Sequence, residues 1–145
     1  MNKAIIGIVA VIMWTAIAGL WAQEQPQKSS GSHLGTWRLA SKKYGADQEF
    51  SEFPPEQRRI KLITETHFTW VQFDTATKKS QGMAGGAYSL SGNTYTESVD
   101  WADSGTDSYL GKKHVFIIRV EGDKMFLSGS LPDGLKLEEI WERVK

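Results

Sequence analysis

Cysteine is absent from the whole chain, and that one absence removes several classes of protein. No disulfide can hold the fold, no thiolate can act as nucleophile or metal ligand, and no lipid can be attached at a cysteine. An excess of one charge is lacking too, with 17 basic residues against 17 acidic. Setting aside residues 1–22, which include Lys3, leaves 16 against 17 and a net charge near −1. That balance gives nucleic acid or an anionic membrane no electrostatic reason to bind. The lysine pairs Lys42-Lys43, Lys78-Lys79 and Lys112-Lys113 each stand beside a turn-like stretch. They read as solvated loop ends that discourage edge pairing. No Gly-x-Ser-x-Gly elbow occurs, and Gly82-Met83-Ala84-Gly85-Gly86 leads into a strand pattern where a phosphate loop would need a helix N-terminus.

What is present begins with a leader. Met1-Asn2-Lys3 is a short basic start, the run to Thr15 is apolar, and small residues follow at signal-peptidase spacing in Leu20-Trp21-Ala22. Residues 1–22 are predicted to be a signal peptide cleaved after Ala22, which places the mature protein in the periplasm or outside the cell. The alternative is an uncleaved anchor, since residues 4–22 approach the ~20 apolar residues of a membrane span. Residues 23–33, rich in Gln, Ser, Gly and Pro, read as a flexible tether. Residues 34–145 then form one domain, large enough for a single hydrophobic core.

Within that domain short β-rich runs alternate with Gly, Asp, Asn and Pro punctuation. Strands are predicted at 34–43, 58–64, 67–74, 85–91, 94–102, 113–121, 124–131 and 135–144. Ser91-Gly92-Asn93, Glu121-Gly122-Asp123 and Pro132-Asp133-Gly134 supply the hairpin turns. Eight antiparallel strands without a long helix predict an all-β fold, a single closed barrel. Period two puts Tyr95, Glu97, Val99 and Trp101 on one face, and Leu135, Leu137, Glu139, Trp141 and Arg143 on another. For 67–74 the pattern does not choose between Phe68, Trp70 and Gln72 and the opposite face. Trp37 on the first strand and Arg143 on the last are predicted to meet. The ring would be sealed from water by a guanidinium lying on its face and bonding nearby carbonyls.

The stretches Leu34-Gly35-Thr36-Trp37-Arg38-Leu39, Gly92-Asn93-Thr94-Tyr95-Thr96-Glu97 and Leu137-Glu138-Glu139-Ile140-Trp141-Glu142-Arg143-Val144 resemble the lipocalin-like branch of the calycins. More narrowly, they look like those of small exported bacterial lipocalin-like domains of unknown function. The resemblance implies an up-and-down barrel with Trp37 at the closed end, Arg143 packed across it, and a cavity opening opposite. The absence of cysteine and of a long helix after the last strand departs from larger lipocalins, so transport of a retinoid-like ligand is not implied.

Both apolar faces carry an acid, and a carboxylate among inward aromatics loses hydration worth several kcal/mol unless it is paired. In one reading Glu97 and Glu139, with Trp70, Tyr95, Trp101 and Trp141, form the floor and walls of a cavity for a small apolar or amphipathic ligand. Phe50 and Phe53, in the long 45–57 connection, would stand near its mouth. In the other reading these acids pair with Arg143 or Arg119, or reach solvent at the rim. Paired carboxylates also serve glycoside hydrolysis at ~5–10 Å separation, a distance that nothing in the sequence sets. His33 is expected to be solvated. His67 and His114 lack a second ligand at metal spacing, although either is the kind of residue a haem-binding barrel uses as axial ligand. Asp100, Asp103 and Asp107 match no calcium cage. The chain is therefore predicted to be a non-enzymatic, exported ligand-binding barrel with no cofactor and no metal. A packed barrel acting through its surface as an interaction or envelope module is the alternative, and an enzyme using barrel carboxylates a lesser one.

Overall fold

The structure, a computed structural model, describes residues 32–145. The predicted signal peptide and all of the predicted tether except Ser32 and His33 lie outside the described residues. Ten strands follow in order: β1 (Gly35–Tyr44), β2 (Ser51–Glu52), β3 (Gln57–Ile63), β4 (His67–Asp74), β5 (Ser80–Ser91), β6 (Thr94–Ser98), β7 (Trp101–Ala102), β8 (Lys113–Glu121), β9 (Lys124–Ser130) and β10 (Lys136–Arg143). A single 3-10 turn, Asp107–Tyr109, stands between β7 and β8. Eight of the strands pair each with the next in the order β1, β3, β4, β5, β6, β8, β9, β10, and β10 pairs back onto β1. The sheet is thus a closed antiparallel up-and-down barrel. Short β2 pairs with β1, and β7 with β5.

Local chemistry explains most of these elements. Gly92 and Gly122 occupy the first central position of two-residue turns with φ of 60° and 57°, the conformation that matches the twist of the flanking strands. Inward residues of β8 alternate without a break, with His114, Phe116, Ile118 and Val120 buried and Val115 and Ile117 exposed. The main core gathers near one end of the barrel and includes Trp37, Leu39, Ile63, Tyr95, Met125, Leu127 and Trp141. Each large aliphatic side chain buried there contributes about 1.5–3 kcal/mol. A smaller cluster of Phe68, Ala84 and Val99 sits against Trp70 and Tyr109.

The closed end forms as the sequence implies. Trp37 pairs directly with Arg143, and the guanidinium carbon lies 4.1 Å from the indole centroid. Arg143 Nη1 and Nη2 donate to the carbonyls of Leu34 and Ser32 at 2.8 and 2.6 Å, while Trp37 Nε1 donates to the carbonyl of His33 at 2.9 Å. Gly35 is required here. Its φ is +129°, and a Cβ would stand 2.8 Å from Arg143 Nη1, so any side chain would strain the backbone and crowd the cap. His33 is half-buried, and its Nε2 lies 3.0 Å from the Tyr88 hydroxyl. The expectation of a solvated His33 is thereby corrected, because its carbonyl is needed by Trp37.

One predicted strand divides. The strand stops at Ser98 and the period-two burial runs on only to Val99, whose N turns to the carbonyl of Lys112, before the Asp100 carboxylate accepts from Ala87 N at 2.9 Å. Trp101 therefore lands on the outer surface, 43% exposed. It lies across Gly85, where a Cβ would overlap its ring. At the strand before, β5 begins at Ser80 where 85 was predicted, so the glycine-rich stretch is itself a strand.

Candidate functional site

The hairpins at 63–67, 91–94 and 121–124 lie at the capped end, so the opposite mouth is framed by the 44–57, 74–80, 102–113 and 130–136 connections. Inside the open half is a cavity of about 120 Å³. Strand interiors supply its polar floor, Lys61, Glu97 and Glu139, with Phe116 and Leu127 between them. Arg59, Trp70 and His114 form the wall, and Tyr44, Tyr109, Leu131 and Leu135 stand toward the mouth. The space thus has a charged, hydrogen-bonding base and an apolar neck.

Two ion pairs dominate the base. Lys61 Nζ meets Glu97 Oε1 at 2.5 Å, with both residues at 2–3% exposure. Four aromatic rings, those of Phe68, Tyr95, Phe116 and Trp141, surround the ammonium at 5.5–5.9 Å, where their faces stabilise a cation that water cannot reach. Arg59 Nη1 lies 3.3 Å from Glu139 Oε1 and 3.1 Å from the Tyr44 hydroxyl, which itself donates to Glu139. Glu139 Oε2 accepts from Trp141 Nε1 at 3.0 Å. Arg59 Nε and Nη2 both donate to Gln72 Oε1, and the guanidinium lies 5.2 Å from the Trp70 ring.

Burial sets the protonation chemistry. Desolvation pushes the Glu97 carboxyl above its ordinary range, with Lys61 pulling the other way. The Tyr44 and Tyr95 hydroxyls are pushed up by burial first and by Glu139 and Glu97 respectively, so both keep their protons at neutral pH. Burial, with Lys61 and Lys112 nearby, lowers His114, which stays neutral. Two buried polar atoms make no hydrogen bond among the described residues, the Tyr95 hydroxyl and His114 Nε2. Tyr95 is close enough to Glu97 to feel its charge.

Of the residues predicted for the cavity, Trp70, Glu97 and Glu139 line it. Tyr95 and Trp141 are buried in the core beneath, at 0% and 1% exposure, where Tyr95 packs on Tyr88 and Trp141 holds Glu139. Trp101 is outside, for the reason already given. Phe50 and Phe53 do not frame the mouth. Phe50 is 43% exposed under Lys43 on the outer face. Phe53 packs sideways into the main core where β2 fills the gap beside β1, with Arg59 over its ring. The acids pair with Arg59 and Lys61, whereas the expected partners are engaged elsewhere, Arg143 at the cap and Arg119 with Glu121. His67 is exposed, its Nδ1 beside the Thr66 hydroxyl. Asp103 Oδ1 is taken by Gly105 N and the Thr106 hydroxyl within its own loop. Sequence reasoning missed Tyr44, Arg59, Lys61 and, as a cavity residue, His114. The signal available was that two inward acids require two inward cations.

An eight-stranded up-and-down barrel, sealed at one end by tryptophan and arginine and hollow at the other, is a lipocalin-like barrel. Two solved structures are similar to it throughout the described domain. One is a lipocalin-like protein from Bacteroides uniformis, with 17% identity over 77% of this chain and 97% of that one and a TM-score of 0.56. The other is an uncharacterized protein from Bacteroides eggerthii, with 12% identity over 77% and 98% and a TM-score of 0.52. No protein-family model matches the chain, and no curated protein does. At these identities the likeness is one of fold.

Proposed function

We propose that the protein is an exported, non-enzymatic carrier or sensor that holds a small, partly apolar molecule inside its barrel. The observation that carries this reading is His114, a cavity-lining residue buried at 5% exposure whose Nε2 has no partner among the described residues. A buried polar atom left without a partner costs about 1–3 kcal/mol, and a bound molecule with its polar end inward would remove that cost. The volume of about 120 Å³ lies below the ~150 Å³ that holds benzene, and well below the ~300 Å³ of ordinary ligand pockets. The occupant is then a molecule of about that size, with its apolar part against Leu131, Leu135 and Trp70. Both cavity acids are engaged in ion pairs, which supports binding over acid–base catalysis.

A second reading, an envelope or interaction module, rests on the outer face of β8 to β10. Phe50, Ile117, Phe126 and Ile140 line a groove of about 520 Å³ there, and Ile117 is 46% exposed. Native mass spectrometry of the protein purified from its own host tests both readings and the export proposal together. A co-purifying small molecule on a chain that lacks residues 1–22 is the expected result. An apo mass accompanied by a stoichiometric partner protein would transfer the function to the outer groove.

A further inference from the structure

We propose that the cavity selects an uncharged molecule carrying a hydrogen-bond-accepting oxygen, an amide or alcohol of about six heavy atoms, and rejects carboxylates and amines of the same size. The inference rests on the intrabarrel binding reading and adds to it the class of ligand.

The polar groups of the cavity divide into a closed set and an open set. In the closed set, Arg59 spends Nε and Nη2 on Gln72 and Nη1 on Tyr44 and Glu139. Glu139 has both oxygens occupied, one by Arg59 and Tyr44 and the other by Trp141. Four of the five guanidinium N–H donors of Arg59 are thereby committed, which leaves this set little for a ligand to claim. The open set lies on β3, β6 and β8. An ammonium has three donors, and the protein acceptor found for Lys61 among the described residues is Glu97. His114 Nε2 has none. Glu97 and His114 are direct cross-strand neighbours, so these groups converge. They are mostly donors, and the group that answers several donors at once is an oxygen acceptor.

Charge then decides which oxygen. Arg59 and Lys61 contribute two positive charges and Glu97 and Glu139 two negative ones, already paired at 3.3 and 2.5 Å. His114 adds none in its neutral form. A third charge entering this base would have no counter-ion. A carboxylate would compete with Glu97 for Lys61, and an ammonium would meet Lys61 itself. In a desolvated interior an unpaired charge is the most costly occupant available. An amide or hydroxyl brings the acceptor without the charge.

The test is an NMR titration of the protein as purified from its host and freed of any co-purifying molecule, near pH 7.5, with butyramide, 1-butanol, butyrate and butylamine. The His114 ring and Trp70 indole signals report on the cavity. Butyramide and butanol are expected to shift both signals saturably, and butyrate and butylammonium to bind at least tenfold more weakly. Butyrate or butylammonium binding at these signals as tightly as butyramide would overturn the charge rule while leaving intrabarrel binding intact. If none of the four moves the signals, intrabarrel binding fails and the inference with it. Glu97→Gln supplies an independent arm, because it leaves Lys61 without its counter-ion. The preference should then invert toward butyrate by at least tenfold, and an unchanged preference in a folded variant would also overturn the rule. Should that variant not fold, the titration of the natural chain decides alone.

Discussion

Replacing Lys61 by methionine tests the interior most sharply, because it removes one charge and keeps most of the aliphatic volume. Lys61 is 3% exposed and Glu97 2%, so neither group can turn to water. Removing one partner of a buried pair costs about 3–5 kcal/mol, since the survivor is left charged and uncompensated. Glu97 has an escape, which is to bind a proton. From the ordinary value of 4.5, protonation at pH 7 costs at most 1.36 × (7 − 4.5), or about 3.4 kcal/mol. Burial already raises the group, so the true cost is smaller. The two bounds meet near 3 kcal/mol at pH 7, a large share of the ~5–15 kcal/mol of a typical domain. With a denaturant slope of about 2 kcal/mol per molar, the urea midpoint should fall by about 1.5 M. Tryptophan fluorescence reads it directly. The sign with pH follows from linkage. A carboxyl whose folded pKa is raised favours the fold below its unfolded pKa and loses that contribution as pH rises through the folded value. The deficit of Lys61→Met should therefore be largest at neutral pH and fade toward pH 4.5. Lys61→Met combined with Glu97→Leu should recover at least about 2 kcal/mol, because an apolar pair of similar volume replaces a buried ion pair at little cost. A single-variant cost below about 1 kcal/mol without pH dependence, or a double variant no better than the single, would refute the reasoning.

Two further outcomes follow from named contacts. Arg143→Ala should cost about 2–3 kcal/mol in thermal or chemical denaturation, from two charge-assisted bonds to carbonyls and the contact with Trp37. Arg143→Lys should recover less than half of that, lacking the fork that reaches both carbonyls. His114, held neutral by burial, stabilises the fold above its unfolded pKa of about 6.5 and loses that contribution as pH falls through its lowered folded value. The midpoint difference between the natural chain and His114→Phe should therefore shift against the natural chain on moving from pH 7 to pH 5. A flat difference would mean that His114 is already solvated.

The parts of this fold that single residues specify were legible. Strands 67–74 and 113–121 agree to the residue, because turn chemistry bounds them and β-branched and aromatic residues fill them. The Trp37 and Arg143 seal was readable because few side chains other than arginine can cover an indole and bond two carbonyls at once. Trp101 was misplaced because period two was carried through Asp100, whose carboxylate caps Ala87 N and ends the pattern. Phe50 and Phe53 were misplaced because a 12-residue connection, Gly45 to Glu56, sets no register from sequence. Their apolar character says only that they pack, and one packs outside the barrel.

The missed cations carry the more general argument. On β3 the alternation reads Ile60 and Leu62 against Arg59, Lys61 and Ile63, and hydrophobicity alone would turn Ile60 and Leu62 inward. The structure does the reverse, with Leu62 41% exposed and Lys61 buried. Register decides it: Trp37 faces Lys61 across the β1–β3 pairing, and directly opposed residues share a face. Once Arg143 covers Trp37 and sends that ring inward, Lys61 must follow. Inversion is tolerable because β6 and β10 deliver Glu97 and Glu139 to the same interior, which leaves four charges in two pairs. A strand in a closed barrel is therefore not read by its own periodicity when its neighbours hold unmatched acids. The pattern to count is the charge sum over all inward faces. Here two inward acids point to two inward cations, and β3 is the strand whose less apolar face can supply both.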